Sequence, residues 1–180
     1  MHFHETPLAG AFAIDLDEKP DARGFFARSF CAAEFKAHGL TTVIVQSNLS
    51  FNHLRGTLRG MHYQSEPATE AKLVRCLRGA IYDVIVDMRP ASLTYLQHFG
   101  IELNEANRRM LYVPEMFAHG YQALTDGAEV SYQVSAFYAP ECERGLRHDD
   151  PGLGIVWPIP VTAISEKDTA WPLIASKTGK

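Results

Sequence analysis

The sequence has no apolar stretch long enough to cross a membrane. Of its 180 residues 46% are hydrophobic, but polar residues interrupt every run well before the roughly 20 residues that a membrane helix needs. The N-terminus "MHFHETPLAG" also lacks the basic-then-apolar order of a signal peptide. We therefore expect neither a membrane segment nor a membrane partner.

Paired cysteines and an excess of positive charge are also lacking. The three cysteines, Cys31, Cys76 and Cys142, are an odd set without C-x-x-C spacing, which excludes a disulfide framework or a zinc knuckle and favours a reducing, cytoplasmic setting. The formal net charge of -4 and the pI of about 6.0 argue against a nucleic-acid partner. An anionic ligand would have to be held by local cations.

The H-x-H-x(3,4)-E cluster by which many small β-barrels bind a metal is missing too. His62 is followed by Tyr63 and Gln64, and the "HFH" of residues 2 to 4 is expected on a mobile terminus. Metal binding needs a third or fourth ligand near the barrel histidines. We expect no metal, and a centre built on His62 and His119 is the open alternative.

Short β-rich segments are what the sequence does contain. Between residues 40 and 136 they are "TTVIVQSN", "GTLRGMHYQ", "AKLVRCL", "AIYDVIVDM", "HFGIEL", "RMLYVP", "HGYQAL" and "AEVSYQVS". Short strands without helices between them predict an antiparallel sandwich or barrel. Only residues 31 to 40 are expected to be helical, ending at Gly39. We predict a single domain over 1 to 180, with residues 139 to 180 forming a loop region that wraps the barrel core of 40 to 136.

Three of these strands carry polar residues on a possible inner face. In "AEVSYQVS", period-two alternation places Tyr132 inward with Val130 and Val134, where it is either a core tyrosine or a functional one. In "AKLVRC", Lys72 shares a face with Val74, and such a lysine is either functional or extends its ammonium to water.

Strict alternation would place Arg59 and His62 on opposite faces of their strand. Gly60 between them is typical of a β-bulge, which would turn both side chains towards one cavity. Without further context, a single strand histidine is more often a satisfied structural residue than a functional one.

Taken together and in order, several motifs resemble one family. They are "DARGFF", "GTLRGMHYQ", "EAKLVRCLRGAIYDVIVDMRPAS", "VPEMFAHGYQAL", "YQVSAFYAPECERGLRHDDPGLGIVWP" and "SEKD". The sequence is similar to the dTDP-4-dehydrorhamnose 3,5-epimerases from about residue 21 to Asp168. This resemblance implies an all-β, cupin-type jelly roll with a few short helices, which works as a homodimer without a cofactor.

The implied activity is inversion of C3 and C5 of dTDP-4-dehydro-6-deoxy-D-glucose through an enolate, giving dTDP-4-dehydro-L-rhamnose. By motif, His62 would be the base, Asp168 its carboxylate partner, Tyr132 the acid on the other face and Lys72 the cation near the C4 oxygen. These residue types suit the reaction, because a proton beside a ketone becomes removable only when the enolate is stabilised.

The resemblance also implies a set of residues that bind the nucleotide diphosphate sugar. They are Arg23, Gln46, Asn48, Arg59, His119 and Tyr138, with Arg23 reaching into the neighbouring subunit's site. The sequence departs from the family pattern at Arg28, Gln133 and His148, where the family often has Glu, Lys and Trp. Arg28 leaves the nucleotide base open, so a CDP- or GDP-linked sugar is an alternative.

Three other functions stay open on the sequence alone. A 3-only or 5-only epimerase of a related 4-ketosugar would keep the same base and acid. A sugar-nucleotide-binding barrel without catalysis would usually lose a proton-transfer residue, whereas His62, Asp168, Tyr132 and Lys72 are all present. A metal-dependent cupin would contain a stoichiometric metal.

Overall fold

Alternating strand sequences pair into two antiparallel sheets in a computed structural model, which describes residues 1–174. The strands are β1 (His2–Glu5), β2 (Phe12–Asp15), β3 (Lys19–Asp21), β4 (Gly24–Phe26), β5 (Gln46–Asn52), β6 (Leu58–Gln64), β7 (Lys72–Arg78), β8 (Ala80–Asp87), β9 (His98–Asn104), β10 (Met110–Val113), β11 (Phe117–Ala123), β12 (Ala128–Val134) and β13 (Glu143–Gly145). Two short helices, α1 (Ala32–Ala37) and α2 (Glu166–Thr169), and a 3₁₀ turn at Pro140–Cys142 complete the elements.

The two sheets contain six and five strands. The larger has the order β1-β2-β10-β7-β12-β5 and the smaller the order β13-β6-β11-β8-β9, while β3 and β4 form a separate hairpin. Every pair of named strands is antiparallel. The prediction of an all-β antiparallel sandwich with a few short helices is confirmed.

The main core lies between the sheets, because each sheet turns an apolar face towards the other. Val74 and Val130 from the larger sheet and Ile85 and Phe117 from the smaller belong to one buried cluster. Removing this apolar surface from water is the dominant stabilisation of the fold.

The outer faces of the sheets are covered by less regular segments. Phe35 of α1 packs with Ile14 and Met110 on the larger sheet. On the smaller sheet, Leu146 and Leu153 from the C-terminal segment pack in one cluster with Val84.

The N-terminal part departs from the sequence expectation. The segment "HFH" is not a mobile terminus, because residues 2 to 5 form β1 and pair with β2. The ammonium of Met1 also donates to Glu34 Oε2 at 2.9 Å. The six-stranded sheet therefore takes two of its strands from before residue 40.

Helix α1 lies within the predicted range of 31 to 40, and Gly39 follows its end with φ +71°. A positive φ costs glycine little, which explains its place there. The strand expected from residue 41 begins only at Gln46. Val45 donates its N–H to the carbonyl of Val134 just before it.

A β-bulge at Gly60 shapes the strand that carries His62. His62 pairs with His119 and Arg59 pairs with Tyr121, so two residues of β6 stand opposite Gly120 alone. A Cβ at Gly60 would lie 2.5 Å from the Cα of Gly120, and φ at Gly60 is +118°. The predicted bulge is confirmed, and only glycine fits its tightest point.

Within residues 1–174, no helix is long and apolar enough to cross a membrane.

Gly60→Ala tests the bulge. The variant should lose about 2 to 4 kcal/mol of unfolding free energy, because it adds a backbone clash to the cost of positive φ. Gly39→Ala is the matched control, because its φ is also positive but no atom lies within 4 Å of its Cβ position; it should lose only about 1 kcal/mol. Urea unfolding at equal protein concentration measures both. Equal losses in the two variants would contradict the close-packed bulge.

Candidate functional site

A cleft with two adjoining lobes opens between the sheets. The lobes have volumes of about 300 Å³ and 230 Å³. His62, Lys72 and Tyr132 line both lobes and so stand at the centre of the cleft. The larger lobe is also lined by Gln46, Asn48, Tyr63, Gln64, Glu70, Val134, Tyr138 and Glu143, and the smaller by Ser50, Arg59, His119, Gly120 and Tyr121.

A buried carboxylate holds His62 in place. His62 Nε2 lies 2.6 Å from Asp168 Oδ1, while Asp168 Oδ2 accepts the Gly60 N–H at 3.1 Å. Burial acts to raise the pKa of Asp168, but these hydrogen bonds outweigh it and lower that pKa below its ordinary value. An ionised carboxylate only accepts, so Nε2 is the donor and Nδ1 of the neutral ring is free to take a proton.

Helix α2 brings Asp168 to this position. Ser165 caps the helix and its hydroxyl accepts the Asp168 N–H at 3.1 Å. The helix follows a long segment without regular structure. The hydrogen bond between His62 and Asp168 joins residues that are 106 positions apart in the sequence.

Lys72 is buried in the cleft wall with its ammonium paired. Its Nζ lies 3.1 Å from Glu70 Oε1 and 3.4 Å from the carbonyl oxygen of His62. The side chains of Lys72 and Glu70 are 10% and 12% exposed. The ammonium therefore does not extend to bulk water, and the predicted inner-face position is confirmed.

Tyr132 packs inward against the main core, as alternation predicted. Its hydroxyl has no hydrogen-bond partner among residues 1–174, which leaves it free to donate into the cleft. Burial, the largest influence, raises the pKa of Tyr132, so the phenol is protonated at neutral pH.

Polar networks fix the smaller lobe. Arg59 donates from Nε to Asn52 Oδ1 at 2.9 Å, and the hydroxyls of Ser50 and Tyr121 lie 2.8 Å apart. His119 Nε2 lies 2.9 Å from a carboxylate oxygen of Asp83, whose side chain is fully buried. Arg59 and His119 thus face one lobe, each in a fixed orientation.

Gln46, Asn48, Tyr138 and Glu143 line the larger lobe, and the exposure of Tyr138 places it at the mouth of this lobe. The Tyr138 hydroxyl donates to Glu143 Oε2 at 2.7 Å, and the Tyr138 N–H donates to Gln46 Oε1 at 3.2 Å.

Arg23 is the one predicted site residue that lies away from the cleft of its own chain. It sits between β3 and β4, pairs with Asp21 at 2.6 Å and has an 89% exposed side chain. The other nine come together: eight line the cleft, and Asp168 stands behind His62.

Arg28, Gln133 and His148, which depart from the family pattern, have the following surroundings. Arg28 donates to Glu34 at 2.9 Å, and Gln133 borders a shallow groove on the outer face of the larger sheet. The ring of His148 is largely buried, and its Nδ1 has no hydrogen-bond partner among the described residues.

No group of three His, Cys, Asp or Glu side chains within residues 1–174 is arranged to hold a metal ion. His62 and His119 each pair with a separate carboxylate.

Sequence reasoning missed several residues of the site, chiefly Glu70 and Glu143, which line the cleft, and Asp83, which is buried behind His119. Asp83 had a signal, because it is a carboxylate inside the apolar strand "AIYDVIVD", where a buried charge needs a partner. The start of helix α2 also had a signal in the sequence, because Ser165 is a favoured N-cap residue and Asp168 follows it three residues later. Glu143 had none, since its loop sequence has no periodicity.

Comparison with known proteins identifies the family. The family model described as dTDP-4-dehydrorhamnose 3,5-epimerase matches residues 5–176. A relative of that name from Methanothermobacter thermautotrophicus is 44% identical over 174 residues, covering 95% of this chain and 93% of its own.

Two solved structures are also similar. One is dTDP-6-deoxy-D-glucose-3,5-epimerase from Legionella pneumophila in complex with dTDP-4-keto-L-rhamnose, with TM-score 0.88, 38% identity and coverage of 96% of this chain and 92% of that one. The other is ChmJ, a 3'-monoepimerase from Streptomyces bikiniensis in complex with dTDP-quinovose, with TM-score 0.87, 32% identity and coverage of 94% and 86%. Because the family model spans nearly the whole chain, the protein belongs to the dTDP-4-dehydrorhamnose 3,5-epimerase family.

Proposed function

We propose that the protein is an isomerase that inverts C3 and C5 of dTDP-4-dehydro-6-deoxy-D-glucose and forms dTDP-4-dehydro-L-rhamnose. The observation that carries this proposal is the His62–Asp168 pair at the centre of a cleft that also presents Lys72 and Tyr132. These four residues supply every group that proton transfer beside a ketone requires. Family membership supports this choice of substrate.

His62 is the proposed base. The hydrogen bond to Asp168 fixes the imidazole and stabilises its protonated form after it takes the proton from C3 or C5. The carboxylate does not need to be protonated in this step, since its role is to orient the ring and offset its charge.

Lys72 stabilises the enolate that proton removal leaves. Its ammonium is buried and held by Glu70 at 3.1 Å, so the positive charge is already in place when negative charge develops on the C4 oxygen. A preorganised charge in a partly water-excluded site stabilises such an intermediate more than a mobile one does.

Tyr132 returns the proton on the opposite face. Four tyrosines of the described residues line the cleft. The hydroxyls of Tyr138 and Tyr121 are hydrogen-bonded to Glu143 and Ser50, and Tyr63 packs against the cluster on the outer face of the smaller sheet. The Tyr132 hydroxyl has no partner among the described residues. A high phenol pKa does not prevent the transfer, because the carbon of an enolate is a far stronger base than a phenolate. Tyr132 is therefore the better acid.

The nucleotide diphosphate binds beside this centre in our proposal. Arg59 and His119 border the smaller lobe and offer donors to phosphate oxygens, while Gln46, Asn48 and Tyr138 border the larger lobe. Arg28 stands where the family often has Glu, and it pairs with Glu34. Binding of dTDP-, CDP- and GDP-linked sugars is therefore the measurement that identifies the nucleotide base.

A homodimer with a shared site is also part of the proposal. The six residues of β3 and β4 are all exposed, including Phe26 at 72%. A two-stranded hairpin of this kind is marginal on its own, and it carries Arg23. Contact with a second subunit would cover the hairpin and place Arg23 against the partner's ligand. The cytoplasmic location and the independence from metal stay predictions, and the latter is checked by activity after chelation.

The function is tested by incubation with dTDP-4-dehydro-6-deoxy-D-glucose in deuterated water. The protein should introduce deuterium at both C3 and C5 with inversion at both. His62→Asn should reduce exchange by at least about 1000-fold while nucleotide binding persists. His98→Asn, on the exposed end of β9, is the control and should exchange normally. Near-normal exchange by His62→Asn would remove this residue from the mechanism, and exchange at one carbon alone would indicate a single-centre epimerase.

Tyr132→Phe separates the two proton transfers. Without the hydroxyl, His62 should still form the enolate and return a deuteron on the original face, so exchange persists while inversion falls by about 100-fold or more. Deuterium content and configuration at C3 and C5 measure the two effects. Efficient inversion in this variant would exclude Tyr132 as the acid.

Complementation tests the shared site. Arg23→Ala should weaken nucleotide binding, whereas the control Arg147→Ala should not, although Arg147 pairs in the same way with an acid two residues away at 2.6 Å. Mixed dimers of Arg23→Ala and His62→Asn chains should regain activity, because one of their two sites has both His62 and the partner's arginine. Failure of complementation in verified mixed dimers would mean that Arg23 acts within its own subunit, and normal nucleotide binding by Arg23→Ala would mean that it has no role in the site.

A further inference from the structure

The mouth of the larger lobe is fixed by side chains that have no part in the proton transfers. Tyr138 lines the larger lobe and is 58% exposed, so it lies at this mouth. An exposed tyrosine is ordinarily free to change rotamer, because nothing packs around it. Here hydrogen bonds hold both the hydroxyl of Tyr138 and the backbone around it.

Glu143 holds the hydroxyl end of Tyr138. Its Oε2 accepts the Tyr138 hydroxyl at 2.7 Å, and both of its oxygens accept from Lys167 Nζ at 2.6 Å. Burial acts to raise the pKa of Glu143, but these hydrogen bonds outweigh it and lower the pKa below its ordinary value. Glu143 is thus a carboxylate, and hydrogen bonds to ionised acceptors are stronger than those to neutral ones.

Gln64 holds the backbone on either side of Tyr138. This buried side chain donates to the carbonyl of Phe137 at 3.2 Å and accepts the Ala139 N–H at 2.6 Å. Gln64 is two residues from His62 on β6 and pairs with Glu143 across the β6–β13 ladder. Lys167 in turn precedes Asp168 on α2. The strand and the helix that hold the base therefore also hold the mouth.

We propose that Glu143 and Gln64 are positioning residues that fix Tyr138 over the mouth, and that this contact decides whether the ketosugar stays bound for a second inversion. This inference rests on the proposed function. After one inversion, the sugar either leaves or reorients so that its other α-carbon faces His62. A fixed aromatic side chain at the mouth slows departure, and so favours the doubly inverted product.

Tyr138→Phe and Glu143→Leu test this directly, because each removes one side of the same hydrogen bond. In either variant the share of singly inverted sugar released should rise about fivefold, the factor expected for one lost hydrogen bond. The KM should rise as well, and the shift in product ratio should persist at saturating substrate, because the ratio is set after binding. The double variant should be no worse than either single one, because both remove the same contact.

Two further variants separate positioning from general damage. Glu143→Gln keeps a carbonyl oxygen for the Tyr138 hydroxyl and should restore the normal product ratio. Tyr82→Phe removes a hydroxyl outside the cleft, where Tyr82 packs beside Trp157, and should also be normal.

Early quenching and product analysis in deuterated water give the readout. An unchanged product ratio in Tyr138→Phe would overturn the inference, even if Glu143→Leu does not fold. A defect in Glu143→Gln as large as in Glu143→Leu would overturn it too, because the contact with Lys167 would then be the important one. Absence of exchange in the wild-type protein would overturn the proposed function and this inference together, so the two failures are distinguishable.

Discussion

The hydrogen bond between His62 and Asp168 joins the centre of the cleft to the C-terminal segment. It is 2.6 Å long, and the same carboxylate accepts the N–H of Gly60, so it also anchors the bulge that turns His62 towards Arg59. Because the pKa of Asp168 is lower in the folded chain than when unfolded, the stabilisation it brings is complete above about pH 4. It is lost as the pH falls through the native pKa.

The cleft keeps its charges paired until a substrate arrives. Lys72 faces Glu70, His119 faces Asp83 and Lys167 faces Glu143, which limits the cost of placing charge in a partly buried site. A diphosphate that binds, or an enolate that forms in the cleft, therefore meets cations whose positions are already set. Such preorganisation lowers the reorganisation that the reaction requires.

Much of this arrangement could be predicted from the sequence because strand periodicity is a local property. The alternation in "AEVSYQVS" correctly placed Tyr132 inward, and that in "AKLVRC" correctly placed Lys72. Gly60 correctly indicated a bulge. The first strands were less predictable: β1 was expected to be mobile, because its pairing with β2 and the contact of Met1 with Glu34 come from the fold and not from propensity.

The sequence by itself determined the fold class, the residues that meet at the centre of the cleft and, through ordered motifs, the family. Only the tertiary structure decided which carboxylates partner which cations. Asp83 is 36 residues from His119 and Glu143 is 24 residues from Lys167, and no sequence period connects such positions. The same holds for the mouth of the cleft, where Gln64 and Glu143 meet Tyr138 because strands β6 and β13 pair. Periodicity places a side chain on a face, whereas contacts between distant residues depend on how strands and loops pack together.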